Sequence, residues 1–259
     1  MKHIIHKGNI SKLRGGDSEE TFLVRYCGKK FVLRIYEDRK TADYYVKVHK
    51  KLSKHGFLPA LYYQEKNKIL VEYIEGRNCK KSDALKVAAQ IGKICALINQ
   101  LRIKENRQKE KEISHLLHRI ESNGLITDKE SDYLENKYNL LKIKVKPKLA
   151  IDFDDVYPEN FRLRRGKVYL VDLEGFETKI MGSGIGKAFL RWFKTSKQRR
   201  KFRRGYASIA SARFLTKEYL QFLYLNFTIS IIAYKVKRNQ KINPRDRDRL
   251  FQFIDSQVI

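Results

Sequence analysis

Cysteine is scarce in this chain of 259 residues: only Cys27, Cys79 and Cys95 occur, far apart and with no CxxC pair. Neither a disulfide framework nor a cysteine-built zinc site is expected; reduced, mostly buried thiols are. Acid is scarce too, with 29 Asp and Glu against 56 Lys and Arg, a formal net charge of +27. That balance argues against an acidic enzyme with no polyanionic contact, and leaves nucleic acid, a phospholipid surface or a phosphorylated substrate as partners. Long apolar runs are missing as well. The opening MKHIIHKGNI has no apolar core, so no signal peptide is expected. The best membrane candidate, Phe222 to Tyr234, contains Asn226, Thr228 and Ser230 and falls short of the roughly twenty apolar residues a bilayer requires, so it reads as a buried helix. The expectation is a cytoplasmic protein, with contact to the inner face of a membrane as an option.

What is present is ample core material. Hydrophobic residues are 42% and aromatics 12% of the chain, enough for one large domain or two small ones. Thr21 to Tyr36 reads as a β-hairpin turning at Gly28 and Lys29, because TFLVRYC and KFVLRIY are rich in β-branched and aromatic residues. Helical spacing of apolar positions follows from Lys40 to His55, ending at Gly56. LYYQ and KILVEYI then predict two strands around a turn at Lys66 to Lys68. From Ser82 the pattern becomes helical: Ala84, Val87, Ala88, Ile91, Cys95, Ile98 and Leu101 share one face. Thr127 with Glu130 forms a capping box, and Asn243-Pro244 opens a last helix. One stretch among the helices, Lys148 to Glu174, reads as strand, loop, strand, turn at Arg165-Gly166, and strand. The expected fold class is therefore α+β: a small antiparallel sheet lobe with one helix over residues 1–76, and a larger mainly helical lobe over 77–259.

That polar stretch carries the chemistry. Asp155 and Asn160 lie five apart in D-V-Y-P-E-N, and Asp172 closes the strand VYLVD twelve residues later. Phosphoryl transfer asks for a carboxylate to orient or deprotonate a hydroxyl, and for oxygen ligands to Mg²⁺ on the triphosphate. An Asp and an Asn on one loop can face one cavity, and an Asp at the end of the next hairpin completes a metal site.

D155-V-Y-P-E-N160 followed by V-Y-L-V-D172 resembles the catalytic loop and metal-binding strand of the aminoglycoside phosphotransferase and choline kinase group of kinase-like enzymes. L13-R-G-G-D-S-E-E-T-F resembles their phosphate-covering loop, F31-V-L-R34 the strand with the triphosphate-binding cation, and L70-V-E-Y-I-E-G76 the hinge that bonds adenine through its backbone. F202-R-R-G-Y206 resembles the helix that follows the catalytic core. The ordered match runs from about residue 10 to 235. It implies a two-lobed protein-kinase-like fold and an ATP-dependent phosphotransferase with an alcohol acceptor. Asp155 would be the catalytic base, and Asn160 and Asp172 would hold Mg²⁺. Gly15, Gly16, Ser18, Arg34, Glu72 and Ile74 would bind ATP. The acceptor would be an amino alcohol, an aminoglycoside or a glycolipid; the Asn160-Phe161 and Asp172-Leu173-Glu174 details also resemble lipopolysaccharide core kinases, and the charge suits an anionic glycolipid.

The chain departs from the group's pattern in places. Phe153-Asp154-Asp155 stands where His-Gly-Asp is usual, and no Glu sits where the cationic strand residue expects its helix partner; Asp43 is the nearest acid, with Tyr44 or Tyr45 in that place. An Asp usual one turn beyond the metal strand is replaced near Gly186. Tyr157 stands where relatives often carry His, and Glu174 is placed to reach a second metal or the substrate. Bland alternatives stay open: Asp155 and Asn160 as turn caps, Arg34 as a surface strand residue, the glycine pair as an ordinary turn. Asp152 and Asp154 in LAIDFDDVY also fit the DxDx[TV] phosphatase motif, with Asp152 as nucleophile. A kinase-like module without catalysis that holds a polyanion is a third class. Lys187 to Arg204 has nine basic residues and no acid, with Phe189, Trp192, Phe193 and Phe202 interleaved. It reads either as a solvated helix face or as an exposed docking face for an anionic membrane or substrate, nucleic acid being the weaker option. His115 and His118 read as a helix face rather than a metal site.

Overall fold

In the computed structural model, residues 4, 7–13, 20–103, 112–172 and 175–255 are described. The hairpin segments pair as expected: β2 (Glu20–Tyr26) runs antiparallel to β3 (Lys29–Ile35), though the turn falls one residue earlier, at Cys27-Gly28, where both residues take positive φ. β1 (Asn9–Lys12), which carries no alternating pattern, joins the outer edge of β2. β4 (Leu61–Glu65) and β5 (Lys68–Glu72) complete a five-stranded antiparallel sheet ordered β1-β2-β3-β5-β4. Helix α1 (Arg39–Leu52) starts on an Asp38 cap whose carboxylate accepts the Thr41 N–H at 2.8 Å. It lays Ala42 and Val46 against Tyr36, Ile69 and Val71 of the sheet.

Beyond the sheet, helices dominate, and the described residues hold eight in all. α2 (Ala84–Asn99) is apolar on nearly every side, and α6 (Ser196–Ala207) packs tightly across it. The closeness depends on two glycines: a Cβ at Gly92 would lie 2.1 Å from Phe202 O, and one at Gly205 1.9 Å from Ala89 O. The remaining helices are α3 (Ile113–Glu121), α4 (Asp128–Val145), α5 (Ser183–Arg191), α7 (Lys217–Lys237) and α8 (Pro244–Asp255). The Thr127–Glu130 capping box opens α4 as read from the sequence, with both reciprocal bonds made. The Phe222–Tyr234 segment lies within α7, its Phe222, Leu223, Leu225, Ile229 and Ile232 buried; among the described residues no helix is long and apolar enough to cross a membrane.

The polar stretch forms two small ribbons. β7 (Leu149–Phe153) pairs antiparallel with β10 (Phe176–Ile180), a strand the sequence reading did not anticipate. β8 (Phe161–Arg164) pairs with β9 (Lys167–Leu170) on one side and with the two-residue β6 (Arg77–Asn78) on the other. The helical core reaches across to the sheet side. Val48, Leu52, Phe57 and Leu58 belong to the same buried cluster as the helices, and Leu170 N–H donates to Phe57 O at 2.9 Å. This shared core fixes the β9 end, and with it Asp172, against the sheet.

Candidate active site

The end of β7 and the loop that follows it carry three carboxyls in four residues, and each meets a different environment. Asp152 is buried at 3% exposure beneath the start of α5, where Gly182 and Gly184 donate backbone N–H groups to it and Asn99 Nδ2 approaches at 3.2 Å. Tyr206 hydroxyl donates to Asn99 Oδ1 at 3.1 Å, so the Phe202–Tyr206 motif reaches this network through its last residue. Burial raises the Asp152 pKa to about 7, outweighing these bonds, and the neighbouring Asp154 carboxylate adds to the rise. α5 comes this near because a Cβ at Gly184 would sit 1.9 Å from Phe153 O.

Asp154 is clamped by Lys179 of β10 at 2.9 Å and Lys187 of α5 at 2.5 Å. Its burial alone would push the pKa up, but the two ammonium groups hold it below the usual carboxylate range. Asp155, one residue on, is the exposed member. Partial enclosure raises its pKa, Lys187 works against that rise, and the Asp154 and Asp172 carboxylates add to it. Phe153, where a histidine would donate a hydrogen bond, packs its ring against Phe176 at 5.3 Å and edge-on to Phe161 at 6.3 Å. Support of the loop is thus aromatic rather than polar.

The loop closes on itself through Asn160, whose Nδ2 donates to Asp155 O at 2.9 Å, leaving its amide oxygen for another partner. Val171 N–H donates to Asn160 O at 2.9 Å, which seats Asp172 directly beside the loop. From the sheet, Arg34 of β3 completes the junction: Nη1 lies 3.2 Å from Asp172 Oδ1 and Nη2 donates to Val171 O at 2.8 Å. Arg34, 7% exposed, is no surface strand residue. Asp43 does not serve it; that carboxylate accepts from Gln64 Nε2 and lies 3.5 Å from Arg39. Tyr45 instead spans from Tyr36 (5.0 Å) to Phe176 (6.5 Å).

Asn160 and Asp172 offer an amide oxygen and a carboxylate on adjacent backbone. This is a hard-oxygen set suited to Mg²⁺, which keeps several waters and takes one or two protein oxygens plus phosphate oxygens. His115 and His118 lie on α3, where His115 Nε2 is 3.1 Å from Arg119 Nη2 and His118 Nε2 is 3.5 Å from Ser122 Oγ.

The other expected residues divide. Glu72 N–H donates to Ala60 O at 2.8 Å, and its carboxylate meets Ala60 N (3.3 Å) and Arg164 (3.5 Å); Ile74 is buried at 2%. Gly15, Gly16, Ser18 and Glu174 lie outside the described residues. The phosphatase alternative has no support in this geometry: Asp152, its nucleophile, is enclosed as a helix cap, and β7 lies in an antiparallel ribbon rather than a parallel sheet.

The basic stretch differs from the exposed aromatic face expected of it. Phe189, Trp192, Phe193 and Phe202 are 0–3% exposed and pack on one another: Phe189 of α5 and Phe202 of α6 lie on inward helix faces, and Trp192 and Phe193 turn inward from the connection between the two helices. Lys187 and Arg191 point toward the site, and Arg199 donates to Phe193 O at 3.0 Å and Phe189 O at 3.3 Å. Lys194, Lys197, Arg200, Lys201 and Arg204 remain exposed, with no apolar anchors between them. Sequence reading missed Lys179, whose strand had no recognisable pattern, and the pairing of Arg34 with Asp172.

No family model matches the chain, and no curated protein matches its sequence. Solved structures do. A choline/ethanolamine kinase family protein from Mesorhizobium loti superposes with a TM-score of 0.70 at 15% identity, over 96% of this chain and 89% of that one. The fold is that of the choline kinases and aminoglycoside phosphotransferases. An ethanolamine kinase from Plasmodium vivax gives 0.68 at 13% identity, covering 98% and 83%, and a spectinomycin phosphotransferase solved with ADP and spectinomycin gives 0.62 at 12%, covering 95% and 89%. At such identities the likeness establishes the two-lobed kinase-like architecture and leaves the chemistry to the residues.

Proposed function

We propose that the protein is an ATP-dependent phosphotransferase acting on a hydroxyl of a small molecule or a glycolipid headgroup. One observation carries the reading: Arg34 from the sheet, Asp172 from the end of the β8–β9 hairpin and the Asp155–Asn160 loop meet at one junction, in a fold whose solved members include nucleotide-bound phosphotransferases.

In this reading the acceptor oxygen attacks the γ-phosphorus of ATP while Asp155 takes the hydroxyl proton. A new P–O bond forms, the bond from the γ-phosphorus to the β–γ bridging oxygen breaks, and ADP leaves. Mg²⁺, held by Asn160 and Asp172, would neutralise charge on the phosphates. Arg34 orients Asp172 and places a guanidinium where α- and β-phosphate charge accumulates. Burial raises the pKa of Asp155, which makes it a better base than an ordinary carboxylate. Backbone N–H groups at Gly15, Gly16 and Ser18 would cover the phosphates, and the backbone from Glu72 to Ile74 would receive adenine. Residues 1–76 and 77–259 act as the two lobes of this cleft.

The catalytically silent polyanion-binding module stands as a second reading, because Arg34 draws on Asp172 itself, the proposed metal ligand. A coupled ADP-release assay with a panel of hydroxyl acceptors, run beside a thermal-shift titration with ATP·Mg²⁺, separates the two. Turnover lost in Asp155→Asn supports the enzyme; nucleotide-independent polyanion binding with no turnover supports the module.

A further inference from the structure

The region around Asp155 holds two concave surfaces separated by Phe227, which lines the cavity on each side. The first, about 550 Å³, is charge-balanced: Lys179 and Lys187 are spoken for by Asp154 and Glu177. The second side is unbalanced. A groove of about 490 Å³ runs along the catalytic loop at Tyr157, Pro158 and Glu159, and Lys81, Arg191, Lys194 and Arg249 line it with Glu159 as its one described carboxylate. It continues into a cavity of about 520 Å³ that shares Arg191, Lys194 and Arg249. Lys235, Arg199 and Asp246 also line that continuation, where Asp246 is taken by Lys235 at 2.8 Å and Arg249 at 3.3 Å, and Arg199 is turned to main-chain carbonyls.

Arg191 connects this groove to the catalytic loop. Its guanidinium lies over the Tyr157 ring at 5.1 Å and the Phe227 ring at 4.9 Å, while Lys187 lies over Phe227 at 5.0 Å. A cationic acceptor is held by open aromatic faces and acidic walls. Here the chain's own cations already cover both rings, and an incoming ammonium group would meet Arg191, Lys194 and Arg249. Burial and the charge of Arg249 both disfavour the protonated Arg191, and the carboxylates of Asp155 and Asp154 act the other way. Like charges gathered in one groove repel, and an anion relieves them. Arginine's planar fork matches the oxygens of a phosphate, with lysines adding point charges.

We propose that the acceptor carries a phosphate group, and that Arg191, Lys194 and Arg249, with Lys81 across the groove, hold that phosphate while a hydroxyl on the same molecule faces Asp155. The inference rests on the phosphotransferase reading above and names its substrate class. The held phosphate is a handle and takes no part in the transfer.

Calorimetric titration of the full chain at 0.15 M salt tests it, with inositol 1-phosphate, inositol and choline as probes, and with phosphatidylinositol 4-phosphate in neutral detergent micelles as the lipid-borne form. At least one phosphate-bearing probe is expected to bind at least about tenfold more tightly than inositol and choline. The Lys194→Gln/Arg249→Gln variant, changed at two exposed side chains, is expected to lose at least about tenfold of that affinity. Binding of the free phosphate identifies a soluble acceptor, and binding of the micellar form alone identifies a lipid headgroup. Choline or inositol binding as tightly, no phosphate probe binding in either form, or unchanged affinity in the double variant overturns the inference. The melting shift with ATP·Mg²⁺, measured alongside, tells the two failures apart: if it persists while phosphate binding is absent, only the substrate class falls.

Discussion

The buried end of β7 and the exposed loop that follows it make opposite uses of the same side chain. At Asp152, enclosure and three N–H donors turn a carboxyl into a tie between the strand, α2 and the start of α5. At Asp155, three residues later, the carboxyl is exposed and the main chain beneath it is fixed by Asn160. Between them Asp154 is neutralised by two lysines. Residue type is constant across the three positions; partners and burial decide which is scaffold and which is free to take a proton.

That contrast is breakable by mutation. The largest effect is expected at the loop: Asp155→Asn should lower phosphoryl transfer by about 10²–10⁴-fold with the melting temperature unchanged, checked by ADP release and calorimetry. Asp152→Ala should do the reverse in kind. It leaves the Gly182 and Gly184 N–H groups and Asn99 without their acceptor, so denaturant unfolding should show a loss of roughly 3 kcal/mol. The pH dependence has a defined sign. An Asp152 pKa of about 7 in the folded protein lies above the unfolded value of about 4, so the native state binds the extra proton between them. Stability from this group is complete below the unfolded pKa and is lost as pH rises through about 7; Asp152→Asn should flatten that slope in denaturant melts taken from pH 4 to 8.

The smallest expected effect sharpens the account of Asp155. Lys187 lowers the Asp155 pKa against the rise caused by burial, so Lys187→Met should raise it and move the acid limb of the kcat/KM profile to higher pH. An acid limb that stays in place would remove Lys187 from the electrostatics of the base.

Much of this was legible in the chain because it is local. The β2–β3 alternation, the Thr127–Glu130 box and the Asp155, Asn160, Asp172 spacing each declare themselves within a few residues. What stayed hidden depends on contacts between distant segments. β10 is strand only because β7 pairs with it, its middle residues Glu177, Thr178 and Lys179 giving no apolar signal. Asp152 finds its donors thirty residues downstream, and Arg34 finds Asp172 on the far side of the cleft. The aromatics between Lys187 and Arg204 looked like a docking face because charge dominates the composition there, yet α5, α6 and the turn that joins them bury every one.

The central claim is that ATP is consumed at the junction of Arg34, Asp172 and the Asp155 loop. Mg²⁺-dependent ATP turnover, compared between wild type and Asp172→Asn in the presence of an acceptor, tests it most directly. The substitution keeps a side-chain oxygen for Arg34, so the lobes remain joined while the carboxylate that would hold Mg²⁺ is gone. The expected result is a fall of about 100-fold or more with the melting temperature preserved. Equal turnover in the two proteins, at any Mg²⁺ concentration, would contradict it.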